Sequence, residues 1–126
     1  MRMETFNFEK LSVWQKSRQL VCEVYSLSAT FPNTERFALC DQLQRAIVSV
    51  SSNIAEGNSR YSPKERVHFI EIAYGSLMEA YCQVQLAVDL KYIQPDRSEA
   101  IKPKFQEVGM MLSGLRKSLK EKRAEG

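Results

Sequence analysis

The chain has 126 residues, of which 44% are hydrophobic and 26% charged, with five glycines and four prolines; this is one domain's worth, with no low-complexity tract to serve as a linker. A chain of this size buries roughly two-thirds of its extended surface on folding, enough for a hydrophobic core. Its formal net charge is +3, and no apolar run approaches the ~18 to 20 residues that span a bilayer. The N-terminal stretch MRMETFNFEK lacks the apolar centre of a signal peptide, so a cytoplasmic protein with no membrane partner is expected. Cys22, Cys40 and Cys82 are odd in number and far apart, and His68 is the one histidine. Zinc and disulfide readings fail on ligand count, which leaves three reduced cysteines and no expected metal or cofactor.

The net charge has an address. Residues 113–126 hold Arg116, Lys117, Lys120, Lys122 and Arg123 against Glu121 and Glu125, an excess of three that equals the net charge of the whole chain.

The hydrophobic spacing predicts four helices, at roughly 8–30, 35–57, 63–92 and 97–121. Asn7 can cap the first; Leu11, Trp14, Val21 and Tyr25 share one face, and Val13, Leu20, Val24 and Leu27 mark a neighbouring one. Phe31-Pro32 ends it, because the residue before proline is pushed out of the helical region, and Asn33 or Thr34 can cap the next.

In the second helix, Leu39, Leu43, Ala46, Ile47, Val50 and Ile54 form a broad apolar stripe at about 100° per residue. Gln42, Arg45, Ser49, Asn53 and Glu56 form a polar stripe. A third arc, Phe37, Gln44, Val48, Ser51 and Ala55, is largely apolar where a surface helix would carry charge. Two apolar surfaces need two things to pack against, so Phe37, Val48 and Ala55 are the expected subunit interface. Gly57-Asn58 reads as a left-handed C-terminal signal.

The short connection at 58–61 makes helices two and three antiparallel neighbours. Ser62-Pro63-Lys64-Glu65 is a capping box with proline at the first helical position. Helix three repeats Val67, Ile70, Tyr74, Leu77, Tyr81, Val84 and Val88, with Phe69, Ile72, Ala73, Ala80, Ala87 and Leu90 widening the apolar arc, and is expected to be the most buried element. Its narrow remaining stripe holds His68, Glu71, Gly75, Glu79 and Cys82. Gly75 costs about 1 kcal/mol against alanine in a helix interior, which suggests a close approach to the backbone there.

After Gln94-Pro95, Asp96 or Ser98 can cap a fourth helix with Ile101, Phe105, Val108, Leu112, Leu115 and Leu119 inward. Pro103 predicts a kink or a later start. The composite is an all-α, antiparallel up-down-up-down four-helix bundle, a single domain over 1–126.

The segments LSVWQKSRQL, FPNTERFALCDQLQRAIVSVSSNIAEGNSRYSPKE and HFIEIAYGSLMEA, above all the QLxRAxxSxxxNIAEG core from Gln42 to Gly57, resemble the four-helix-bundle family of proteins encoded in 23S rRNA intervening sequences. The resemblance covers about residues 8 to 93. It implies a small up-down-up-down bundle that assembles into a pentameric ring, similar in fold to the accessory protein of diversity-generating retroelements, which acts with a reverse transcriptase and nucleic acid. It implies an RNA connection and no catalytic residues. Family members commonly carry a second basic residue where this chain has Gln44, which weakens any RNA contact built on a doubly basic helix two.

Three readings of the polar stripe stay open. It is a solvated face; or it packs on the polar stripe of helix three or on a neighbouring subunit, with symmetry about the loop placing Arg45 near Glu79, Ser49 or Asn53 near His68 and Glu71, and Glu56 near Arg66; or it meets RNA, with Arg45 its one cation and Glu56 repelling phosphate. The C-terminal cations complement the helix macrodipole without any ligand, yet a ring of subunits multiplies them into a nucleic-acid patch. No aromatic interleaves Arg116 to Arg123, which favours sequence-tolerant backbone contact over base stacking. His68 has no assignable nucleophile, Glu71 and Glu79 lack a di-iron arrangement, and no phosphate-cradling glycine loop is present. The expectation is a non-enzymatic homo-oligomer that binds structured RNA or a nucleoprotein through basic surface; the rival is a protein-interaction scaffold with no nucleic-acid role.

Overall fold

The structure is a computed structural model that describes residues 4–125, with side chains described as far as Lys122. Four helices account for nearly all of it: α1 (Ser12–Ser28), α2 (Leu39–Asn58), α3 (Pro63–Asp89) and α4 (Pro95–Glu125). Each helix packs on the next and α1 also packs on α4, while the diagonal pairs do not approach. Cross-helix bonds give the directions. Ser17 and Gln44 reach Ser51 and Ser28 across the α1–α2 seam, Ser49 and Gln42 meet Ser76 and Gln83 across α2–α3, and Glu71 and Gln85 meet Arg116 and Ser98 across α3–α4. In every pair the partner number falls as the residue number rises, so neighbours are antiparallel and the bundle runs up-down-up-down.

The core is built from the inward stripes. Val13, Leu20, Val24 and Leu27 of α1, Leu43, Ile47, Val50 and Ile54 of α2, Leu77 and Val84 of α3, and Phe105, Val108 and Leu112 of α4 are all buried. On α1 the buried set is the Val13–Leu27 face; Leu11, Trp14 and Val21 are half-buried at its margin and Tyr25 is exposed. Helix α3, the expected most buried element, buries Val67, Ile70, Ala73, Leu77, Ala80, Gln83, Val84 and Ala87, but its wide apolar arc is not wholly covered. Ile72, Tyr74, Met78, Leu86 and Leu90 all stand in solvent.

The helix ends differ from the sequence expectation where side chains outcompete the helical pattern. Asn7–Lys10 is a separate 3-10 turn, broken from α1 by the extended Leu11. Helix α2 starts at Leu39 because Glu35 folds back and its carboxylate accepts from the Leu39 amide (3.0 Å), satisfying one of the free donors of that helix end. The other oxygen of Glu35 accepts from the Tyr92 hydroxyl (3.0 Å), and the Tyr92 ring lies 5.6 Å from that of Phe31. One carboxylate thus ties the α1–α2 connection to the α3–α4 connection. Ser62 accepts from the Glu65 amide (3.4 Å) at the start of α3, in line with the capping signal. Helix α4 begins at Pro95 and continues through Pro103; Ser98, a candidate cap, is buried and accepts from Gln85 (2.7 Å).

The glycine readings reverse. Gly57 has no positive φ, and α2 continues through it to Asn58. A Cβ on Gly57 would lie 2.8 Å from the Phe69 Cβ of α3, whereas a Cβ on Gly75 would meet nothing within 4 Å. The left-handed residue is Lys91 (φ 65°), which ends α3 with the Tyr92 amide bonded to the Ala87 carbonyl (2.9 Å), the geometry usually given to glycine.

Two outcomes follow for stability. In urea denaturation Gly57→Ala loses about 1–3 kcal/mol by overpacking, while Gly75→Ala gains about 1 kcal/mol through helix propensity. The hydrogen bond to Glu35, then burial, then the Glu35 charge raise the Tyr92 phenol above its ordinary value of 10.0. The stability this adds is complete below about pH 10 and is lost as pH rises through the raised folded value. Denaturation midpoints of wild type and Tyr92→Phe therefore keep a constant gap up to about pH 10 and converge above it.

Candidate nucleic-acid interface

The polar stripe of α2 divides in two. Its inner part lies on the α2–α3 seam, which closes on small residues: Ala46 and Gly57 from α2, and Ala73, Ala80 and Ala87, spaced seven apart, from α3, all buried. Along the edge of this seam Ser49 bonds Ser76 (2.9 Å). Asn53 donates to the Ser49 carbonyl and hydroxyl (2.8 and 2.9 Å). Gln42 accepts from the buried Gln83 (3.4 Å). The outer part pairs locally: Arg45 with Asp41 (2.8 Å) and Glu56 with Arg60 (3.0 Å), both one turn apart. The partners expected from symmetry about the loop, Glu79 for Arg45, His68 and Glu71 for Ser49 and Asn53, and Arg66 for Glu56, are replaced by these. Arg45 and Glu56 are long enough to reach opposite charges on their own helix flank, while the seam edge beside them is taken by Ser49, Ser76 and Asn53. His68 stands exposed, its ring 5.7 Å from Phe69.

The third arc of α2 is largely the flank that faces α1. Gln44 donates to the buried Ser28 hydroxyl (3.1 Å), and Ser51 shares a hydrogen bond with the buried Ser17 (2.9 Å). A bundle helix has two neighbours, and the second surface serves the second neighbour. Phe37 does not share a helical face with Val48 and Ala55, because α2 begins after it. Phe37 is 85% exposed with the Arg36 guanidinium 5.3 Å above its ring; Val48 is 39% exposed and Ala55 half-buried.

Five cations were singled out at the C-terminal end of α4. Arg116 is held by Glu71 (2.8 Å), while Lys117, Lys120 and Lys122 are exposed and, among the described residues, form no ion pair. Arg123 lies outside the described side chains. At about 100° per residue, Lys117 points away from the core and Lys120 follows Arg116 on the α3 side. Lys122 follows Lys104 by whole turns; Lys104 pairs with Glu23 of α1, so Lys122 is on the α1 side. The cations splay over three sides of the helix end.

Linear spacing concealed the company these residues keep. Leu115 and Leu119 of α4 share a small cavity of about 40 Å³ with Leu11, Ile54, Gly57, Asn58, Arg66 and Ile70, and Asn7 donates to Asn58 (3.1 Å). The last turns of α4 therefore lie at the end of the bundle that holds the α2–α3 loop, the start of α3 and the N-terminal 3-10 turn. Lys10, Lys64 and Arg66 join Lys117, Lys120 and Lys122 there, none with an ion-pair partner among the described residues. Glu56, Glu65 and Glu121 are exposed acids at the same end, Glu56 being paired with Arg60. The antiparallel topology could have exposed this grouping in advance, since it returns the C-terminus of α4 to the end of the bundle that holds the α2–α3 loop.

Elsewhere the surface offers open clefts. A trough of about 560 Å³ between α3 and α4 is lined by Tyr74, Met78, Phe105 and Met110, with Lys102 at its rim. Between α1 and α4 a cleft is crossed by the Lys16–Glu107 pair (3.3 Å). Among the described residues no three His, Cys, Asp or Glu side chains converge as metal ligands, and no helix is long and apolar enough to cross a membrane. The three cysteines are free.

Residues 9–114 match the family described as 23S rRNA-intervening sequence protein. The chain belongs to that family. No curated protein matches it. A solved structure of similar fold is described as a protein of unknown function from the S23 ribosomal protein family of Bacteroides thetaiotaomicron VPI-5482. That relative is 23% identical, with a TM-score of 0.77 over 83% of this chain and 98% of the other. The family match stops before Arg116, so the basic C-terminal turns lie beyond the matched residues while the Gln42–Gly57 segment lies within them.

The seam reading of the stripe is tested by Ser49→Ala. It removes a hydrogen bond to Ser76 and one acceptor of Asn53, and is expected to cost about 1–2 kcal/mol in thermal unfolding.

Proposed function

We propose that this protein is a non-enzymatic homo-oligomer of the cytoplasm that binds structured RNA, free or within a nucleoprotein, through the basic end of its bundle. The observation that carries this reading is the grouping of Lys10, Lys64, Arg66, Lys117, Lys120 and Lys122 at one end, on two helices and a turn. Macrodipole compensation accounts for cations at the end of α4. It does not account for Lys64 and Arg66, which stand at the positive N-terminal end of α3, where cations are electrostatically disfavoured. A cluster assembled against that preference supports an anionic ligand such as the phosphate backbone. The family description, which links its members to 23S rRNA intervening sequences, supports RNA as the source of those phosphates.

Oligomerisation is supported by apolar surface left in water: Phe37 and Val48 beside α2, and Ile72, Leu86 and Leu90 on α3. A pentamer, as the family resemblance implies, would present five basic ends and raise the affinity for a polyanion accordingly. The scaffold reading rests on the α3–α4 trough, whose Tyr74, Met78 and Met110 suit an apolar partner helix.

The test is a mobility shift with 23S rRNA fragments at about 50 and about 200 mM salt, with light scattering for mass against the 14.5 kDa monomer. Truncating α4 would remove the buried Leu119, so charge substitution is the cleaner variant. Lys117→Gln, Lys120→Gln and Lys122→Gln together are expected to lower the slope of log affinity against log salt by roughly two, since each phosphate contact contributes about 0.7 to 0.9. Salt-independent or absent binding would leave the scaffold, and a monomer at micromolar concentration would remove the oligomer.

A further inference from the structure

Between the end of α2 and the start of α3, the loop at 59–62 carries Tyr61, which is 99% exposed. An exposed tyrosine on a floppy loop would mean little. Here the backbone on both sides of it is tied down. Ser59 donates from its hydroxyl to the Glu56 carbonyl (2.6 Å), the Arg60 amide bonds the Gly57 carbonyl (3.2 Å), and the Arg66 amide bonds the Ser62 carbonyl (3.0 Å). The Arg66 guanidinium donates to the Arg60 carbonyl (2.5 Å). Arg60 itself is held by Glu56 (3.0 Å) and lies 4.8 Å above the Phe69 ring. The loop is braced while its one aromatic ring touches nothing.

The position of that ring is the second observation. It stands at the basic end of the bundle, next to Lys64 and Arg66 and on the end to which Leu115 and Leu119 bring the last turns of α4. Aromatic interleaving is missing along Arg116 to Arg123, but tertiary structure supplies an aromatic to the same cations from a loop over fifty residues earlier in the chain. A held, flat, unshielded ring at an end whose lysines form no ion pair among the described residues is the composition of a single-stranded nucleic-acid platform, where cations follow the backbone and a base stacks on the ring. A duplex hides its base faces and gives such a ring nothing to stack on.

We infer that Tyr61 is a base-stacking contact and that the basic end recognises unpaired nucleotides, a loop, bulge or single strand, in preference to continuous duplex. This rests on the phosphate-binding reading above and narrows its ligand.

The experiment measures fluorescence anisotropy of the full chain with a labelled oligouridylate of about 12 nucleotides and with an RNA duplex of equal length. Variants are Tyr61→Ala, Tyr61→Leu and Tyr61→Phe, with Lys117→Gln/Lys120→Gln as the charge control and circular dichroism to verify helix content. Tyr61→Ala and Tyr61→Leu are expected to weaken the oligouridylate about tenfold, while Tyr61→Phe, which keeps the ring, stays within about twofold of wild type. Duplex affinity and the salt slope stay unchanged, since no cation is removed. Tyr61→Ala or Tyr61→Leu binding the oligouridylate as wild type does, or an equal loss on both probes, overturns the inference. If the lysine variant weakens both probes while every Tyr61 variant binds normally, stacking falls and phosphate binding stands. If wild type binds neither probe, both readings fall.

Discussion

The close packing of α2 on α3 sets the geometry of the whole bundle. Ala46 and Gly57 face a helix whose buried alanines recur every seven residues, and small side chains at a contact bring helix axes together. Where Phe69 crosses Gly57, the gap is too small for a methyl group. With that seam narrow, larger residues must fill the other sides of the square: Leu43, Ile47 and Ile54 toward the centre, and Phe105 and Leu112 from α4. At its edge the seam is closed by Ser49, Ser76 and Asn53 and by the Gln42–Gln83 bond, while Arg45 and Glu56 turn outward to partners one helical turn away.

The same constraint reassigns the family's most recognisable stretch. From Gln42 to Gly57, the residues that repeat at heptad spacing are those that meet α3, so the segment is largely spent on holding two helices of one chain together. Its polar face has little charge to offer a ligand: its arginine is neutralised by Asp41 and its glutamate by Arg60. The uncommitted charge lies at the bundle end, and it is there only because the chain reverses direction three times. The N-terminal turn, the start of α3 and the end of α4 bring cations from separate parts of the sequence to one end.

The opposite end is organised by a single carboxylate. Glu35 caps α2 with one oxygen and accepts from Tyr92 with the other. Both interhelical connections at that end are thereby linked, and the left-handed Lys91 beside Tyr92 is held in a conformation that an L-residue adopts at a cost of about 1 kcal/mol. The Glu35 carboxylate, four residues before Leu39, takes the place of the caps expected at Asn33 and Thr34.

What the sequence determined by itself was the number of helices, their order and their inward stripes, because a 3.6-residue period of apolar side chains has few other ways to be buried. Ser62 at the start of α3 was legible for a similar reason, its cap being local. What only the tertiary structure decided were matters of approach between segments: that Gly57 serves a steric contact and Gly75 none, that Gln44 and Ser51 of the third arc of α2 meet α1 while Phe37 and Val48 stay in water, that Glu35 joins its cap to Tyr92, and that Tyr61 and Lys64 share a bundle end with the last turns of α4. Periodicity reports which way a side chain points from its own helix axis. It carries no information on what stands opposite, and both the seam and the basic end are defined by what stands opposite.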